Sequence, residues 1–382
     1  MISSPFDRLD YPTLRQSVYL NQASLGLIGQ PAVTAMHSFI DNVARHGNLY
    51  MSDGEEVAYC ETLRERASRL LHCDSTQVAI VASASEILGQ LPILLQPRLK
   101  STILAVSSDF PATTRPWLRL AAFKNHTVRF VADQPTCDLT DTLIEAIDES
   151  TSVVAVSSVQ YATGTVVDIS RLHQSTVQVG ARLIVDATQA AGAMRVDAAA
   201  WDADAVVISG YKWLGGHGGV ALAVMSPLLL EQIPPLPGWM GASAPFGFDA
   251  TSVSLANDAR RYTQSTMSYV SLAALVVAVE QLLSLGEART EAHARSLAAM
   301  LVSDASKYGW QPFRSVGDPA GSPHIISLGS PGESVQAIGE NLRSHNIVCS
   351  TRGGRIRISL APYNDASDVN TLVEAFAKAR SG

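Results

Sequence analysis

Short apolar runs alternate with segments of helical periodicity through the middle of the chain. Seven of these runs are predicted strands, and many of them are apolar at successive positions, which is typical of strands that are buried on both faces of a mostly parallel sheet. The predicted strands cover residues 78–81, 103–106, 128–131, 153–157, 183–186, 205–209 and 220–225. Helical windows lie between them, among them residues 85–95, 139–147 and 169–179. The pattern predicts an α/β fold with helices on both sides of one sheet.

The pattern changes after Met225. The Pro/Gly-rich segment 234–241 leaves little room for regular structure, and a predicted helix over residues 269–285 follows it. Beyond that helix we predict a long helix over 287–307, strands near 324–328 and 355–360, and a last helix from Asp365. We therefore expect a large domain over residues 20–270 and a smaller α+β domain formed by residues 1–19 and 271–382.

Composition and charge exclude several classes of protein. The 382 residues are 47% hydrophobic and 16% charged, which is ordinary for a globular protein with room for two domains. A net charge of −7 without a Lys/Arg run argues against nucleic acid as a partner. The N-terminus lacks the order of a signal peptide, and the apolar run 272–285 is too short and too polar to span a bilayer. We expect no membrane association.

The four cysteines are scattered along the chain and none forms a Cys-x-x-Cys pair; they are Cys60, Cys73, Cys137 and Cys349. This spacing suggests neither a zinc site nor a disulfide framework, and no other metal site is expected. A reducing, cytoplasmic setting fits this cysteine usage.

Polar clusters follow two neighbouring predicted strands. Asp186 ends the strand 183–186, and Lys212 stands 26 residues later, just after the strand 205–209. Taken singly, such an acid is often a helix N-cap and such a lysine is usually solvated. In α/β sheets, however, ligands bind beyond the carboxyl ends of the strands. Pyridoxal 5'-phosphate (PLP) chemistry needs this pair, because a lysine must form a Schiff base with the cofactor and an acid must keep the pyridinium nitrogen protonated.

Two further segments could bind phosphate. Ser83-Ala84-Ser85-Glu86 follows the strand 78–81 and opens a helix, so Ser85 is either a plain N-cap or part of an anion site at the helix N-terminus. Residues 216–221 match a Gly-x-Gly-x-x-Ala dinucleotide fingerprint. They precede a β-like run instead of opening a helix, so we discount a nicotinamide site there.

The order of these segments resembles the class V aminotransferase group of fold-type I PLP enzymes, whose members include cysteine desulfurases, kynureninases, isopenicillin N epimerase-like proteins and C–S lyases. The resemblance runs from Tyr19-Leu20-Asn21-Gln22-Ala23 to Leu360-Ala361-Pro362-Tyr363-Asn364, and the Asp-x-x-Gln and Ser-x-x-Lys motifs are its most specific part. It implies the PLP-dependent transferase fold type I, with a mostly parallel seven-stranded sheet in the large domain and a smaller α+β C-terminal domain.

The resemblance also implies a role for each matching residue. Lys212 would be the Schiff-base lysine, Asp186 the partner of the pyridinium nitrogen, and Gln189 would face the phenolic oxygen of the cofactor. Four residues would hold the cofactor phosphate: Ala84 through its backbone, Ser85, Ser209 and Tyr211.

Other matches extend the site. The run 109–113 resembles a kynureninase segment whose phenylalanine stacks on the cofactor, which assigns that role to Phe110. Gln160 stands where the family has an asparagine over the cofactor. Thr266 lies in a segment that would reach the phosphate of a partner subunit, so the resemblance implies a homodimer with a shared active site.

The segment 357–364 resembles the desulfurase run that binds the substrate. It places Arg357 on the α-carboxylate, where a guanidinium fork fits well, and Asn21 is also assigned to the substrate. The alternative is that Arg355 and Arg357 form a solvent-facing ladder on one strand.

The sequence departs from two of the family's branches. Desulfurases carry a nucleophilic cysteine on a loop shortly before this arginine, whereas the loop here is short and Cys349 stands in an apolar context that favours a core position. Kynureninases have Asp-x-x-His where this chain has Asp-x-x-Gln, although residues 238–241 resemble their Gly-Trp loop.

We therefore expect a PLP-dependent enzyme that acts at Cα and Cβ of an amino-acid substrate through an external aldimine. The favoured reaction is β-elimination by a C–S lyase on a cysteine S-conjugate. The alternatives are an aminotransferase, or a decarboxylating or oxidatively deaminating PLP enzyme of secondary metabolism. A different kind of hypothesis is a non-enzymatic relative that keeps the fold. The intact Lys212, Asp186 and Arg357 argue against it.

Overall fold

A large mixed sheet and a smaller antiparallel sheet organise the computed structural model, which describes residues 2–381. The strands are β1 (Val18–Tyr19), β2 (Val78–Val81), β3 (Thr102–Val106), β4 (Thr127–Val131), β5 (Thr151–Ser157), β6 (Arg182–Asp186), β7 (Ala205–Ser209), β8 (Ala221–Met225), β9 (Gln311–Pro312), β10 (Ile325–Gly329), β11 (Ile347–Val348), β12 (Ser350–Arg352) and β13 (Arg355–Ser359).

The α-helices surround these sheets. They are α1 (Gln30–His46), α2 (Asp53–Leu71), α3 (Ala84–Leu95), α4 (Pro111–Lys124), α5 (Leu139–Glu145), α6 (Ile169–Val179), α7 (Ala198–Trp201), α8 (Pro227–Leu230), α9 (Tyr269–Leu285), α10 (Glu287–Ser306), α11 (Val335–Ser344) and α12 (Ala366–Ser381).

The large sheet has the strand order β2-β8-β7-β6-β5-β3-β4. All of its strands are parallel except β8, which runs antiparallel to its neighbours β2 and β7. Each of the seven predicted strands is present, with starts that differ from the prediction by no more than two residues. The prediction of a mostly parallel, seven-stranded sheet is confirmed.

Both faces of this sheet are covered. Every residue of β2, β3, β5 and β8 is buried. Along β2, Val78 and Ile80 belong to one core cluster, whereas Ala79 and Val81 belong to another. Because alternate side chains of a strand point to opposite faces, each face of the sheet has its own core, and this explains why the strands are apolar at successive positions.

The second sheet, with the order β12-β13-β10-β9, is antiparallel and packs one face against helices. Ile356 and Ile358 of β13 join Leu297 of α10 and Phe376 of α12 in a third core cluster. The N-terminal segment reaches this unit, since β1 pairs with β11. The domain boundaries at residues 19/20 and 270/271 stay a prediction.

No single helix within the described residues has both the length and the apolar composition of a membrane span. The helices α9 and α10, which meet at 79°, satisfy those criteria when they are taken together.

A buried ion pair joins the segment after β4 to the second unit, and the loop after β5 bonds to it. The side chains of Asp133 and Arg314 are 0% and 6% exposed, with 3.1 Å between Oδ1 and Nη2. The hydroxyls of Thr163 and Thr165 donate to the same carboxylate at 2.6 and 3.1 Å.

Between these threonines, Gly164 has φ +76°, and a Cβ there would meet the carbonyl oxygen of Ile325 at 2.1 Å. The loop 160–165 is therefore held in place from both sides.

We expect Asp133→Asn to lower the free energy of unfolding by about 3–5 kcal/mol, because it leaves the Arg314 guanidinium buried without a counter-charge. Urea unfolding followed by circular dichroism measures the loss. The control is Asp141→Asn, which removes an exposed ion pair with Arg171 and should change stability little. Equal losses in the two variants would contradict a special contribution from the buried pair.

Candidate active site

The carboxyl ends of β2, β3, β5, β6 and β7 lie along one edge of the large sheet, and a pocket opens there. Most of the residues that the sequence singled out line this pocket; they are Ala84, Ser85, Phe110, Asp186, Gln189, Ser209, Tyr211 and Lys212. The position agrees with the rule that ligands bind beyond the carboxyl ends of parallel strands.

Lys212 is buried, with 7% of its surface exposed. Burial lowers the pKa of its amine to about 8; the carboxylate of Asp186 opposes this shift, and the positive charges of Arg357 and Arg352 add to it. The Nζ atom lies 5.1 Å from the centroid of the Phe110 ring. A lysine with this pKa has an appreciable neutral fraction near neutral pH, so it is available as a nucleophile or a base.

Asp186, the last residue of β6, is 6% exposed. Its carboxylate is oriented by the backbone that directly follows the strand. Its Oδ1 accepts from the backbone N–H of Thr188 at 2.9 Å. The hydroxyl oxygen of Thr188 accepts from the backbone N–H of Ser209 at 3.0 Å, which ties the ends of β6 and β7 together. Sequence reasoning assigned no role to Thr188, although its hydroxyl stands inside the Asp-x-x-Gln motif.

The side chain of Gln189 is held by two partners that are distant in sequence. Its Oε1 accepts from Trp213 Nε1 at 2.7 Å, and its Nε2 donates to the carbonyl oxygen of Ala23 at 3.0 Å. The backbone carbonyl of Gln189 accepts from Nε2 of His324 at 2.6 Å. Burial lowers the pKa of His324 to about 4, so its imidazole is neutral. His324 was missed because no local motif marks it.

The anion-binding end of the pocket is the start of α3. Ser83, and not Ser85, is the N-cap, since the Ser83 hydroxyl oxygen accepts from Glu86 N–H at 3.2 Å. The reading of Ser85 as the capping residue is therefore wrong. Ser85 lies in the first turn of α3 and is exposed to the pocket. The first-turn N–H groups and the hydroxyls of Ser85, Ser209 and Tyr211 form a set of donors suited to a phosphate.

A second buried acid supports the pocket wall. Asp109 accepts from Ser157 N–H at 2.8 Å and Ser157 Oγ at 2.5 Å, from Phe110 N–H at 2.6 Å, and from Gln160 Nε2 at 3.2 Å. Burial raises the pKa of this carboxyl to about 6, against the effect of those hydrogen bonds. Asp109 therefore positions Phe110 and Gln160. Sequence reasoning assigned no role to Asp109, because Ser157 and Gln160 lie 48 and 51 residues away in the chain.

Gln160 lies behind the pocket wall. It is 1% exposed, and its Oε1 has no partner among the described residues. The next residue, Tyr161, lines the pocket, and its ring meets that of Phe110 edge to face at 5.5 Å between centroids. The predicted contact of Gln160 with the cofactor stays a prediction.

Arg357 is 1% exposed, so the alternative of a solvent-facing ladder is wrong for this residue. Its Nη1 donates to the carbonyl oxygen of Tyr161 at 2.9 Å. Its Nη2 donates to Oδ1 of Asn21 at 3.3 Å and to the hydroxyl of Ser24, whereas Nε has no partner among residues 2–381. Asn21 and Arg357 are thus in contact, next to the pocket residue Tyr161.

Two residues of interest lie away from the pocket. Thr266 is exposed in the single chain, so its predicted role requires a second copy. Cys349 is partly buried against the third core cluster, as predicted, and burial raises the pKa of its thiol to about 11. A thiol with this pKa is protonated at neutral pH and is a poor nucleophile.

The residues of the pocket fit PLP. The pocket combines a buried amine, a carboxylate at the end of the neighbouring strand, an aromatic ring and a helix N-terminus rich in donors. Lys212, Asp186, Phe110 and the start of α3 would hold the aldehyde, the ring nitrogen, the ring face and the phosphate.

Comparisons with known proteins agree with this chemistry. The uncharacterized aminotransferase YcbU of Bacillus subtilis (strain 168) is 25% identical over 368 residues, which cover 96% of this chain and 95% of YcbU. The cysteine desulfurase CsdA of Escherichia coli (strain K12) is 26% identical over 395 residues, covering 97% of this chain and 96% of CsdA. The kynureninase of Bacillus anthracis is 24% identical over 275 residues, covering 69% of this chain and 64% of that enzyme.

Solved structures show the same fold. The apo cysteine desulfurase of Thermococcus onnurineus NA1 has a TM-score of 0.87 at 18% identity, with 100% of this chain and 99% of that chain covered. The cystine C–S lyase C-DES, in complex with cysteine persulfide, has a TM-score of 0.86 at 19% identity, with 96% and 99% covered. A model of the aminotransferase class-V family matches residues 18–372. The expectation of a PLP-dependent enzyme of fold type I is confirmed, and the chain belongs to the aminotransferase class-V family.

Proposed function

We propose that the protein is a PLP-dependent C–S lyase that cleaves the Cβ–S bond of a cysteine S-conjugate. The observation that carries the proposal is the buried Lys212, with its pKa lowered to about 8, in one pocket with Asp186. When bound, PLP supplies an aldehyde and a ring that withdraws electrons from the substrate Cα.

The roles of the two central residues follow from their surroundings. Asp186 supplies a negative charge at the end of β6, and an opposite charge near a ring nitrogen favours its protonated form. Lys212 would hold the cofactor aldehyde, and its neutral amine would accept the proton from Cα of the substrate. The lowered pKa of Lys212 suits both tasks, since each requires the neutral amine.

Arg357 would bind the α-carboxylate of the substrate. Its Nε is unpaired among the described residues, and its Nη2 is shared between Asn21 and Ser24, with which a carboxylate would compete. The three neighbours hold the guanidinium in place, and a fixed guanidinium is well suited to a bidentate carboxylate contact.

The sulfur chemistry follows from what surrounds Cys349. The Cys349 thiol is protonated and packed against a core cluster, and no cysteine is among the described residues that line the pocket. We infer that the sulfur leaves as a thiol: the Cα–H and Cβ–S bonds break, the sulfur takes the electron pair and a proton, and one water converts the remaining fragment to pyruvate and ammonia. C-DES is described as a cystine C–S lyase, and the structural likeness of this chain to C-DES supports this choice.

We also propose that two copies share the site. Thr266 is exposed, and the preceding segment presents clustered apolar side chains to solvent: Trp239 and Phe248 are 38% and 70% exposed, and their ring centroids lie 6.0 Å apart with Phe246 in contact with both. A cluster of exposed apolar side chains marks a protein interface more often than an ordinary surface. The cytoplasmic setting expected from the cysteine usage remains part of the proposal.

We expect the purified protein to take up PLP and gain a visible absorption band, and Lys212→Ala to lack that band. Lys307→Ala, at an exposed lysine, is the matched control and should keep it. With S-methylcysteine, the wild type should release methanethiol, pyruvate and ammonia in equal amounts. A keto acid that retains its sulfur, formed only when a second keto acid is present, would favour the aminotransferase to which YcbU is assigned. A protein that does not bind PLP would contradict the proposed function altogether.

The rate of PLP uptake by the apoprotein should rise as the pH is raised through about 8 and then level off. The reason is that only neutral Lys212 reacts, and burial lowers its pKa from 10.5 to about 8. Stopped-flow absorbance at a series of pH values measures the inflection. An inflection near the ordinary lysine pKa would show that the amine is not desolvated in the apoprotein.

Cys349→Ser should leave kcat/KM for S-methylcysteine unchanged, because the thiol takes no part in the proposed elimination. The assay is pyruvate release under steady-state conditions, with circular dichroism as a check on folding. A folded variant that has lost activity by an order of magnitude would instead assign the sulfur-accepting role of a desulfurase to Cys349.

A further inference from the structure

The strands β12 and β13 form a tight hairpin beside the active site. Its turn is Gly353-Gly354, both with positive φ, +53° and +71°, as a two-residue turn of this type requires. Across the hairpin, Arg352 pairs with Arg355 and Ser350 pairs with Arg357. Residues that are directly opposite share a face, and so do residues two apart along a strand. Ser350, Arg352 and Arg357 therefore lie on one face of the second sheet.

Buried polar atoms without a partner collect on this face. Ser327 of β10 pairs with Arg357 from the other side, so two serines flank the arginine. The Oγ atoms of Ser327 and Ser350 and the Nε atom of Arg357 are all buried, and none has a partner among the described residues. Ser327 and Arg357 are 2% and 1% exposed. Such groups are rare in folded proteins, and three together indicate that a polar ligand or ordered water completes the face.

Arg352 is a cation without an acidic partner in the described part of the chain. It is exposed, and its guanidinium donates only to the carbonyl oxygen of Thr351, at 2.8 Å. Arg355, opposite it, is engaged instead: it donates to the carbonyl oxygens of Gln311 and Ser327. The hairpin therefore presents one free guanidinium, that of Arg352.

The charge of Arg352 acts on the active site. It contributes to lowering the pKa of Arg357 and that of Lys212. Asp186 is the one acid that acts in the opposite direction on Lys212. When a substrate α-carboxylate binds Arg357, the charge of Arg352 still has no negative partner. The serine hydroxyls also lack hydrogen-bond partners, so this side of the site can accept a further negative group.

We propose that Arg352, together with the hydroxyl of Ser350 two residues before it, binds a carboxylate at the end of the substrate's side chain, so that the protein selects amino acids with an acidic side-chain terminus. The inference rests on the proposed function and names its substrate class: cysteine S-conjugates whose sulfur substituent carries a carboxylate. Arg357 and Arg352 then hold the two carboxylates of one substrate, with Ser350 beside Arg357 on the strand that carries Arg352.

The test compares two ligands of the same shape and different charge, S-carboxymethylcysteine and S-carbamoylmethylcysteine. Each is titrated into the PLP-loaded protein, and the dissociation constant is taken from the change in the visible band, which does not depend on turnover. We expect the wild type to bind the carboxylate compound about tenfold more tightly than the amide, as is ordinary for a charge-assisted hydrogen bond.

Three variants locate the effect. Arg352→Gln should abolish the preference, and Arg352→Lys should restore part of it. Arg355→Gln, on the same hairpin, is the matched control and should keep the full preference. The preference should also weaken as salt is added, since Arg352 is exposed. In the apoprotein, Arg352→Gln should raise the pH at which PLP uptake has its inflection, because a nearby positive charge has been removed.

The outcomes separate this inference from the proposed function. Equal binding of the two compounds by a wild type that shows the cofactor band overturns the carboxylate site and leaves the proposed function standing. A preference that survives in Arg352→Gln overturns the assignment to Arg352. A protein with no cofactor band overturns both.

Discussion

The shared carboxyl edge of six parallel strands is the constraint on which the rest of the molecule depends. Buried strands must pair their backbone groups with neighbours and fill both faces with apolar side chains, so they leave no position for polar chemistry in their interiors. Polar residues are confined to the ends, and parallel strands place those ends together. Asp186 is accordingly the last residue of β6, and Lys212 stands three residues beyond the end of β7. The two approach each other because their strands are adjacent in the sheet, although 26 residues separate them in the chain.

Burial shifts the pKa values of the acid and the amine at this edge in opposite directions, upward for Asp109 and downward for Lys212. Asp109 has four hydrogen-bond donors but no cation, and burial raises its pKa to about 6; its contacts with Phe110 and Gln160 show that it shapes the wall. Lys212 is destabilised as a cation by burial and by two arginines, with Asp186 as the acid that opposes them. Within the pocket Asp186 balances Lys212, and the positive charges of Arg357 and Arg352 are added from beside it. A phosphate at the start of α3 and a carboxylate at Arg357 would supply negative charge at the two ends of the pocket.

Local patterns in the sequence were sufficient to predict the strands of the large sheet and most of the pocket lining. The reason is that apolar runs, and the polar residues that follow them, are separated by only a few positions along the chain. The supporting contacts could not be predicted in this way, because their partners are distant in sequence. Asp109 bonds to Ser157, 48 residues away, and His324 bonds to Gln189, 135 residues away. The error at α3 is of another kind: Ser83 and Ser85 are equally good capping residues, and only the backbone geometry decides that the helix begins at Ala84.

The hairpin β12–β13 connects the proposed reaction to the proposed substrate. Desulfurases, to which this segment is similar in sequence, use a loop before the arginine strand to carry a nucleophilic thiol, and a loop needs length in order to reach the substrate. In this chain the connection is a two-glycine turn, which fixes the residues on either side of it by cross-strand pairing. Cys349, one residue before β12, is consequently held against the core with a raised pKa, while Arg352 is held on the face that carries Arg357. The short turn thus accounts for two features of the same segment, a buried thiol and a fixed cation. In the proposed reaction the sulfur departs on its leaving group, and the proposed role of Arg352 is to recognise the charge which that leaving group carries.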